Sequence, residues 1–255
     1  MDRSAFKQFA LLEQRHWWFR GRRALYLPLL EHVLQARLGR APRDLRVVDA
    51  GCGTGGFLEP LARFGTVSGF ELDEPAIEWC RERGFASSFV ARSDQLPLRP
   101  QSVDLLTLFD VLEHTPDDRA VLTELVPALK PGGHLALSVP AYQWLFSNND
   151  RVAHHYRRYT RRELVGKLRH AGLRVVKATY VNVTLSPLIV PAVLAMKFKQ
   201  RLSPQSDDPT TNLSYTPPRP INALLGGVFA GERHLLRHVS APFGHSLFVI
   251  AERPA

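Results

Sequence analysis

Asp49 stands two residues before Gly51, and Gly51, Gly53 and Gly56 follow the spacing G-x-G-x-x-G, which suits a strand that turns tightly into a helix. Glu71 lies about 20 residues further on, where a carboxylate can accept both hydroxyls of a ribose. The glycines alone discriminate weakly, since many strand–turn–helix units need glycine merely to turn. The charge of Asp49 decides between ligands. A pyrophosphate seated at the helix N-terminus would meet a carboxylate of its own sign, whereas a nucleoside bearing an ammonium and a sulfonium would be attracted. These residue types favour a cationic nucleoside and disfavour a nicotinamide dinucleotide with its hydride chemistry.

A second group gathers later. Val139 to Asp150 contains Tyr142 and leads into His154-His155-Tyr156-Arg157-Arg158-Tyr159. His155 and Asp150, taken as one pair, form the best candidate base, and His114 is a second candidate. Arg157 or Arg158 offers a planar fork for a phosphate or carboxylate, with Tyr142 and Tyr159 beside it on the acceptor side. The competing reading is a helix cap and a solvated basic surface. Trp17, Trp18 and Phe19 read as core aromatics, with a lid that makes cation–π contact to a sulfonium as the alternative. Cys52 is a small residue in the tight turn.

The elements that must position these residues follow from periodicity. Residues 4–19 and 22–38 read as helices, with a turn-rich break at 39–44. Strands are expected over 46–49, 66–71, 87–91, 103–110, 134–139, 173–181 and 246–251. Helices are expected over 57–64, 75–83, 119–129 and 160–170, the last opened by the capping box Thr160-Arg161-Arg162-Glu163. Alternation of this kind argues for a parallel sheet covered by helices on both faces. The apolar stretch 185–198 is shorter than the ~20 residues of a spanning helix and reads as a buried or interfacial helix. Residues 203–220 read as a loop, and 221–239 as an amphipathic helix.

Composition sets the outer limits. The chain has 255 residues, 45% hydrophobic and 22% charged, so it can bury an ordinary core. Two cysteines support neither a disulfide framework nor a four-cysteine zinc site, and no metal ligand set is evident. With no secretory signal visible at the N-terminus, a cytoplasmic setting is expected, with peripheral membrane contact as an option. The net charge of +9 is uneven: +6 over residues 1–46, −8 over 47–150 and +11 over 151–255. Basic flanks around an acidic middle suit an anionic small molecule, a nucleic acid or an anionic lipid surface. Nothing in the pattern fixes an oligomeric state.

Four segments, in order, resemble motifs of the class I S-adenosylmethionine-dependent methyltransferases. Val47-Val48-Asp49-Ala50-Gly51-Cys52-Gly53-Thr54-Gly55 resembles the first and Gly69-Phe70-Glu71-Leu72-Asp73 the acidic second. Phe109-Asp110-Val111-Leu112-Glu113-His114 resembles the end of the fourth strand, and Leu129-Lys130-Pro131-Gly132-Gly133 the turn before the fifth. The resemblance implies S-adenosylmethionine as cofactor. Asp49, Gly51, Cys52, Gly53, Phe109 and Asp110 would then meet its methionine side, Glu71 its ribose and Leu72 its adenine. The family often has an acid four residues before a Leu-Pro pair. Here Arg92 stands there, before Leu96-Pro97, and Asp94 is the nearest substitute. His155-Tyr156-Arg157-Arg158-Tyr159 and His16-Trp17-Trp18-Phe19-Arg20-Gly21-Arg22-Arg23 resemble a bacterial type-11/12 subgroup.

The implied fold is α/β: a Rossmann-like, doubly wound, seven-stranded sheet with an N-terminal helical cap and a C-terminal helical insertion. Its units would be 1–46 as cap, 47–181 as cofactor-binding core with an acceptor-side insertion at 142–160, 182–245 as helices and loop, and 246–255 as the last strand. The implied reaction is in-line methyl transfer to a small-molecule or lipid-type, amphiphilic and anionic acceptor. Nucleic acid is the runner-up and is disfavoured. Enzymes acting on base amino groups carry an Asn/Asp-Pro-Pro-Tyr/Phe element where this chain reads Phe109-Asp110-Val111-Leu112, and no RNA-binding module is appended.

Overall fold

The computed structural model describes residues 10–92, 98–202 and 215–255. Seven strands form one sheet in the order β3-β2-β1-β4-β5-β7-β6. They are β1 (Leu45–Ala50), β2 (Gly65–Glu71), β3 (Phe89–Val90), β4 (Val103–Phe109), β5 (Leu129–Pro140), β6 (Arg174–Val181) and β7 (Ser246–Glu252). All neighbours run parallel except β7, which is antiparallel to both β5 and β6. The central strands are almost continuously apolar, as strands buried on both faces must be. From β1 the chain builds outward to β2 and β3, then returns to build β4 and β5 on the other side. The strand order reverses between β1 and β4. Their carboxyl ends therefore border a crevice, the usual ligand site of an open α/β sheet.

Helices lie along the sheet. Helix α1 is described over residues 10–15 and α2 spans Trp17–Leu38. The break falls at His16 rather than near Gly21. The His16 Nδ1 accepts from the Trp18 N–H at 3.2 Å, an N-cap that ends one helix and starts the next. Gly21 stays helical because a neighbouring helix needs the room: a Cβ there would lie 2.6 Å from Phe229. Helix α2 is pinned to the sheet by Tyr26, whose ring lies 4.6 Å from Phe248 and 5.6 Å from Phe109, while Phe109 lies 4.4 Å from Phe57. Burying each such aromatic contributes roughly 2–3 kcal/mol.

The remaining helices are α3 (Leu58–Leu61), α4 (Glu74–Glu82), α5 (Asp118–Leu125), α6 (Asn148–Val152), α7 (Arg161–His170), α8 (Ser186–Leu202), α9 (Arg219–Gly231) and α10 (Arg233–Leu236). The helices expected over 57–64 and 119–129 each end as a 3-10 turn, Ala62–Phe64 and Val126–Ala128. Thr160 caps α7 by accepting from the Glu163 N–H at 3.3 Å. The helix expected over 221–239 breaks at Glu232, whose carboxylate reaches the Thr184 N–H at 2.8 Å and hydroxyl at 2.6 Å. Most of the loop expected over 203–220 lies outside the described residues. Strand β7 arrives from beyond these helices and slots between β5 and β6.

Candidate functional site

The glycine turn leaves β1 in a conformation that only glycine takes at no cost. Gly51 has φ +69°, and a Cβ there would meet Val111 at 2.6 Å. Gly51 and Cys52 N–H groups both donate to the Phe70 carbonyl, and the Gly53 N–H donates to Glu71 Oε2 at 3.1 Å. The turn is thus tied to the end of β2 through the carboxylate expected to hold a ribose. Burial raises the pKa of Glu71. Leu72 is 60% exposed at this edge and can cover a flat ring. The Cys52 thiol is 3.8 Å from the Cys80 sulfur and turns into the core, which leaves its main chain to serve the loop. Asp94 lies outside the described residues.

Asp49 is buried at the end of β1, and the Thr107 hydroxyl of the neighbouring strand donates to it at 2.5 Å. Burial, with the fields of Glu13 and Glu71, pushes its pKa up to about 7. A cation placed beside it would restore its charge, so the position is poised for a cationic ligand. At the end of β4, Phe109 packs among the aromatics beneath α2, and Asp110 takes a left-handed backbone at φ +58°. The Ser138 hydroxyl donates to Asp110 Oδ1 at 2.9 Å, and Arg22 pairs with Oδ2 at 2.8 Å.

Arg22 is the main residue that motif spacing misses. Its guanidinium is buried and lies 5.9, 5.6 and 5.5 Å from the rings of Trp18, Tyr26 and Phe57. Burial works against its charge, and Asp110 more than offsets this. The cation–π partner of the Trp18 ring is therefore this arginine. Trp18 also stacks on Phe229 at 5.4 Å, and Trp17 meets Phe229 edge-on, so both are core aromatics. A signal for Arg22 exists: it falls on the buried stripe Phe19, Arg22, Leu25, Tyr26, Leu29 at helical spacing.

On the acceptor side, α6 and the segment after it bring Asp150 to His155. Asp150 Oδ1 lies 2.8 Å from His155 Nδ1, which leaves the His155 Nε2 edge for other partners. The His114 ring meets the His155 ring edge-on at 4.6 Å. Although burial pushes the Asp150 pKa up, hydrogen bonds from His155 and Arg158 hold it well below the usual carboxylate range. Asp150 is thus a fixed anion that orients His155. Burial and the neighbouring His155 lower the His114 pKa to about 4, so its ring is neutral at pH 7.

Three expected acceptor contacts are committed elsewhere. Arg158 is buried with Nε and Nη2 on the two Asp150 oxygens at 2.8 and 2.9 Å, so its fork is spent inside the protein. Arg157 pairs with Asp118 at 3.3 Å and donates to the Pro116 carbonyl. Tyr159 is fully buried, with its hydroxyl donating to Asp118 at 2.8 Å. Of the expected anion clamp, Arg158 is tied into the interior, because a buried charge must find a partner, while the Arg157 side chain stays 28% exposed. Tyr142 takes φ +62° and stacks on Tyr180 and Phe243 at 5.0 and 5.2 Å.

The fold also assembles groups that are far apart in the sequence. Glu113 is buried, and among the described residues neither of its carboxyl oxygens has a hydrogen-bond partner; burial beside Asp110 raises its pKa well above the ordinary value. Glu113, His114 and His155 each bring one ligand atom within 4.8 Å of the others, a set that can hold a divalent cation, although the sequence pattern suggests none. His245, just before β7, meets Trp18 edge-on at 6.0 Å, and burial lowers its pKa to about 4.

Comparison with known proteins decides the family. The family described as "Methyltransferase domain" matches residues 48–137, from β1 into β5. The ubiquinone biosynthesis O-methyltransferase of Xanthomonas axonopodis pv. citri is 32% identical over 196 residues, covering 68% of this chain and 81% of that protein. This chain belongs to the class I S-adenosylmethionine-dependent methyltransferases. The protein of the same name from Thiobacillus denitrificans is 29% identical over 74% of this chain and 89% of its own length. An S-adenosylmethionine-dependent methyltransferase from Mesorhizobium loti shares the fold, with a TM-score of 0.55 at 19% identity over 83% of this chain and 92% of its own. The cofactor of this methyltransferase is S-adenosylmethionine. The residues present fit it: a turn with no room for a Cβ at Gly51, a buried carboxylate at the end of β1 and another at the end of β2.

Proposed function

We propose that this methyltransferase transfers the methyl group to a hydroxyl of a small, amphiphilic acceptor, with His155 as the base and Asp150 as its orienting anion. Bound S-adenosylmethionine supplies a methyl group already activated by its positive sulfur. The chain's own residues hold both partners, exclude water and take the acceptor proton. Asp49 attracts the cationic methionine side and Glu71 takes the ribose hydroxyls, while Gly51, Gly53 and the Cys52 main chain shape the loop. Leu72 covers the adenine. Asp110, fixed by Arg22 and Ser138, borders the methyl donor. His155 Nε2 is the proton acceptor and His114 packs beside it. Tyr142 lines the acceptor side.

The observation that carries this reading is the 2.8 Å contact between His155 Nδ1 and Asp150, close to the carboxyl end of β4. It holds the ring in the tautomer whose free Nε2 can accept a proton. The relatives named for O-methylation in ubiquinone biosynthesis support a hydroxyl acceptor. The commitment of Arg157 and Arg158 removes the reason to require an anionic one.

Amphiphilic character and peripheral membrane contact draw support from two helices. Leu194 and Phe198 on α8, and Ile221, Leu224 and Val228 on α9, are exposed apolar residues at helical spacing, near Lys199 and Arg219 in the sequence, and Leu188 on α8 is exposed as well. Among the described residues, no helix is long and apolar enough to cross a membrane. The test is transfer of a labelled methyl group to simple catechols and to prenylated catechols in vesicles. Faster methylation of the prenylated compounds supports the reading. Methylation of amines but of no hydroxyl compound would sink it.

A further inference from the structure

His245 has no task in the methyl transfer described above. It lies just before β7, where its carbonyl accepts from the Ala141 N–H at 3.0 Å and ties the chain to the carboxyl end of β5. Gly244 lets this turn press against β6, since a Cβ there would lie 2.5 Å from the Val181 carbonyl. Main-chain contacts on both sides therefore set where the His245 ring goes. The ring is half-buried, and among the described residues its enclosed Nδ1 has no hydrogen-bond partner. Phenylalanine would fill a similar volume without stranding a polar atom, so the nitrogen suits a polar partner that the chain does not supply.

The surroundings of the ring say what that partner belongs to. On one side Trp18 meets it edge-on at 6.0 Å, and the Arg22 guanidinium lies 5.9 Å from the Trp18 ring while pairing with Asp110 at 2.8 Å. On the other side Arg158 and Asp150 are close enough for their charges to act on His245, and Asp150 holds His155. The Tyr156 N–H donates to the Glu113 carbonyl at 2.7 Å, which brings the His155 segment back to the end of β4. His245 thus stands between the pair that borders the methyl donor and the pair that forms the base. An acceptor presenting its hydroxyl to His155 beside Asp110 would bring its remaining atoms toward this ring.

We propose that His245 is a specificity-determining residue for the acceptor, with Nδ1 hydrogen-bonded to a second hydroxyl of the molecule whose first hydroxyl is methylated. The inference rests on the hydroxyl-acceptor reading above. Burial keeps the ring neutral at pH 7, so one of its nitrogens carries a proton and the other is bare. A hydroxyl both donates and accepts and so serves either tautomer, whereas a hydrocarbon edge serves neither. The preferred acceptors are then diols or polyphenols. A molecule with one hydroxyl leaves Nδ1 stranded and is bound less tightly.

The test measures methylation of 1,2-, 1,3- and 1,4-dihydroxybenzene and of phenol by the full-length protein. Wild type is expected to favour at least one diol over phenol by about tenfold or more in kcat/KM, well above the roughly twofold that having two hydroxyls gives by chance. H245F is expected to cut that preference to about twofold, through a higher KM for the diol, while S-adenosylhomocysteine affinity in calorimetry stays within about twofold. H245A takes its place if H245F fails to fold. H245N, whose side-chain amide puts a donor and an acceptor near the position of Nδ1, is expected to keep most of the preference. Wild type that treats phenol and the diols alike overturns the inference. So does an H245F that keeps the preference, or one that loses phenol and diols equally, which would leave His245 as a packing residue. Methylation of amines but of no hydroxyl compound by wild type overturns the hydroxyl-acceptor reading and this inference together.

Discussion

Cofactor affinity should depend on pH through Asp49. In the cofactor-free protein, burial and the neighbouring Glu13 and Glu71 hold its pKa at about 7. The groups facing it are Thr107 on β4, Glu71 on β2, Glu13 on α1 and Arg22 on α2. An ammonium favours the ionised form, so binding must expel any proton present. Half of the molecules carry that proton at pH 7 and about nine in ten at pH 6, so affinity falls about tenfold between pH 8 and pH 6, or about 1.4 kcal/mol per pKa unit. Calorimetry with S-adenosylhomocysteine from pH 6 to 8.5, in buffers of different ionisation enthalpy, reads both the affinity and the released proton. Asp49→Asn should weaken binding at pH 8 by about tenfold or more and flatten the profile, any residual slope coming from Glu13 and Glu71.

Stability should move the other way. The folded pKa of Asp49 lies above its ordinary value of 3.8. Its contribution is therefore fully present at low pH and is lost as pH rises through about 7. Asp49→Asn should raise the Tm of the cofactor-free protein at pH 8, by about 2–4 °C for each kcal/mol relieved, and leave it unchanged near pH 4. Affinity that stays flat from pH 6 to 8, with no proton released, would refute the reasoning.

Three other outcomes are expected. His155→Gln should lower kcat by about 100-fold or more, as for loss of a general base, while S-adenosylhomocysteine affinity stays within twofold in calorimetry; equal loss of both would mark His155 as structural. Arg158→Met leaves the Asp150 carboxylate buried without its fork and should cost about 3–5 kcal/mol in urea unfolding, whereas Arg157→Ala, a half-exposed partner of Asp118, should cost about 1 kcal/mol or less. Phe198→Ser with Leu224→Ser should reduce co-sedimentation with anionic vesicles and leave methylation of a water-soluble catechol unchanged; undiminished co-sedimentation would remove these helices from any membrane contact.

Much of the scaffold was legible because it is written in local pattern. The apolar runs of β1 and β4, the glycines that turn after Asp49 and the acid ending β2 are set by near neighbours and backbone sterics, and they lie where periodicity puts them. The pairing of His155 with Asp150 was also readable, since five residues across one short turn keep the two within reach. The break in the first helix was misplaced because glycine signals flexibility locally, and only packing against Phe229 shows why Gly21 stays helical. The same limit governs charge. His-x-Arg-Arg-Tyr looks like an anion clamp as a string, but Asp118 and Asp150 take up its arginines once the segment folds.

Type and spacing by themselves determined the fold class, the cofactor class and a histidine–aspartate pair, because strand alternation, steric turns and the sign of one carboxylate act over a few residues. Tertiary structure alone decided which charges remain available. Arg22 meets Asp110 across 88 positions, Glu13 meets Thr54 across 41, and Glu113 lies next to two histidines with no hydrogen-bond partner among the described residues. Charges in a low-dielectric interior respond to whichever groups the fold sets beside them, however distant along the chain.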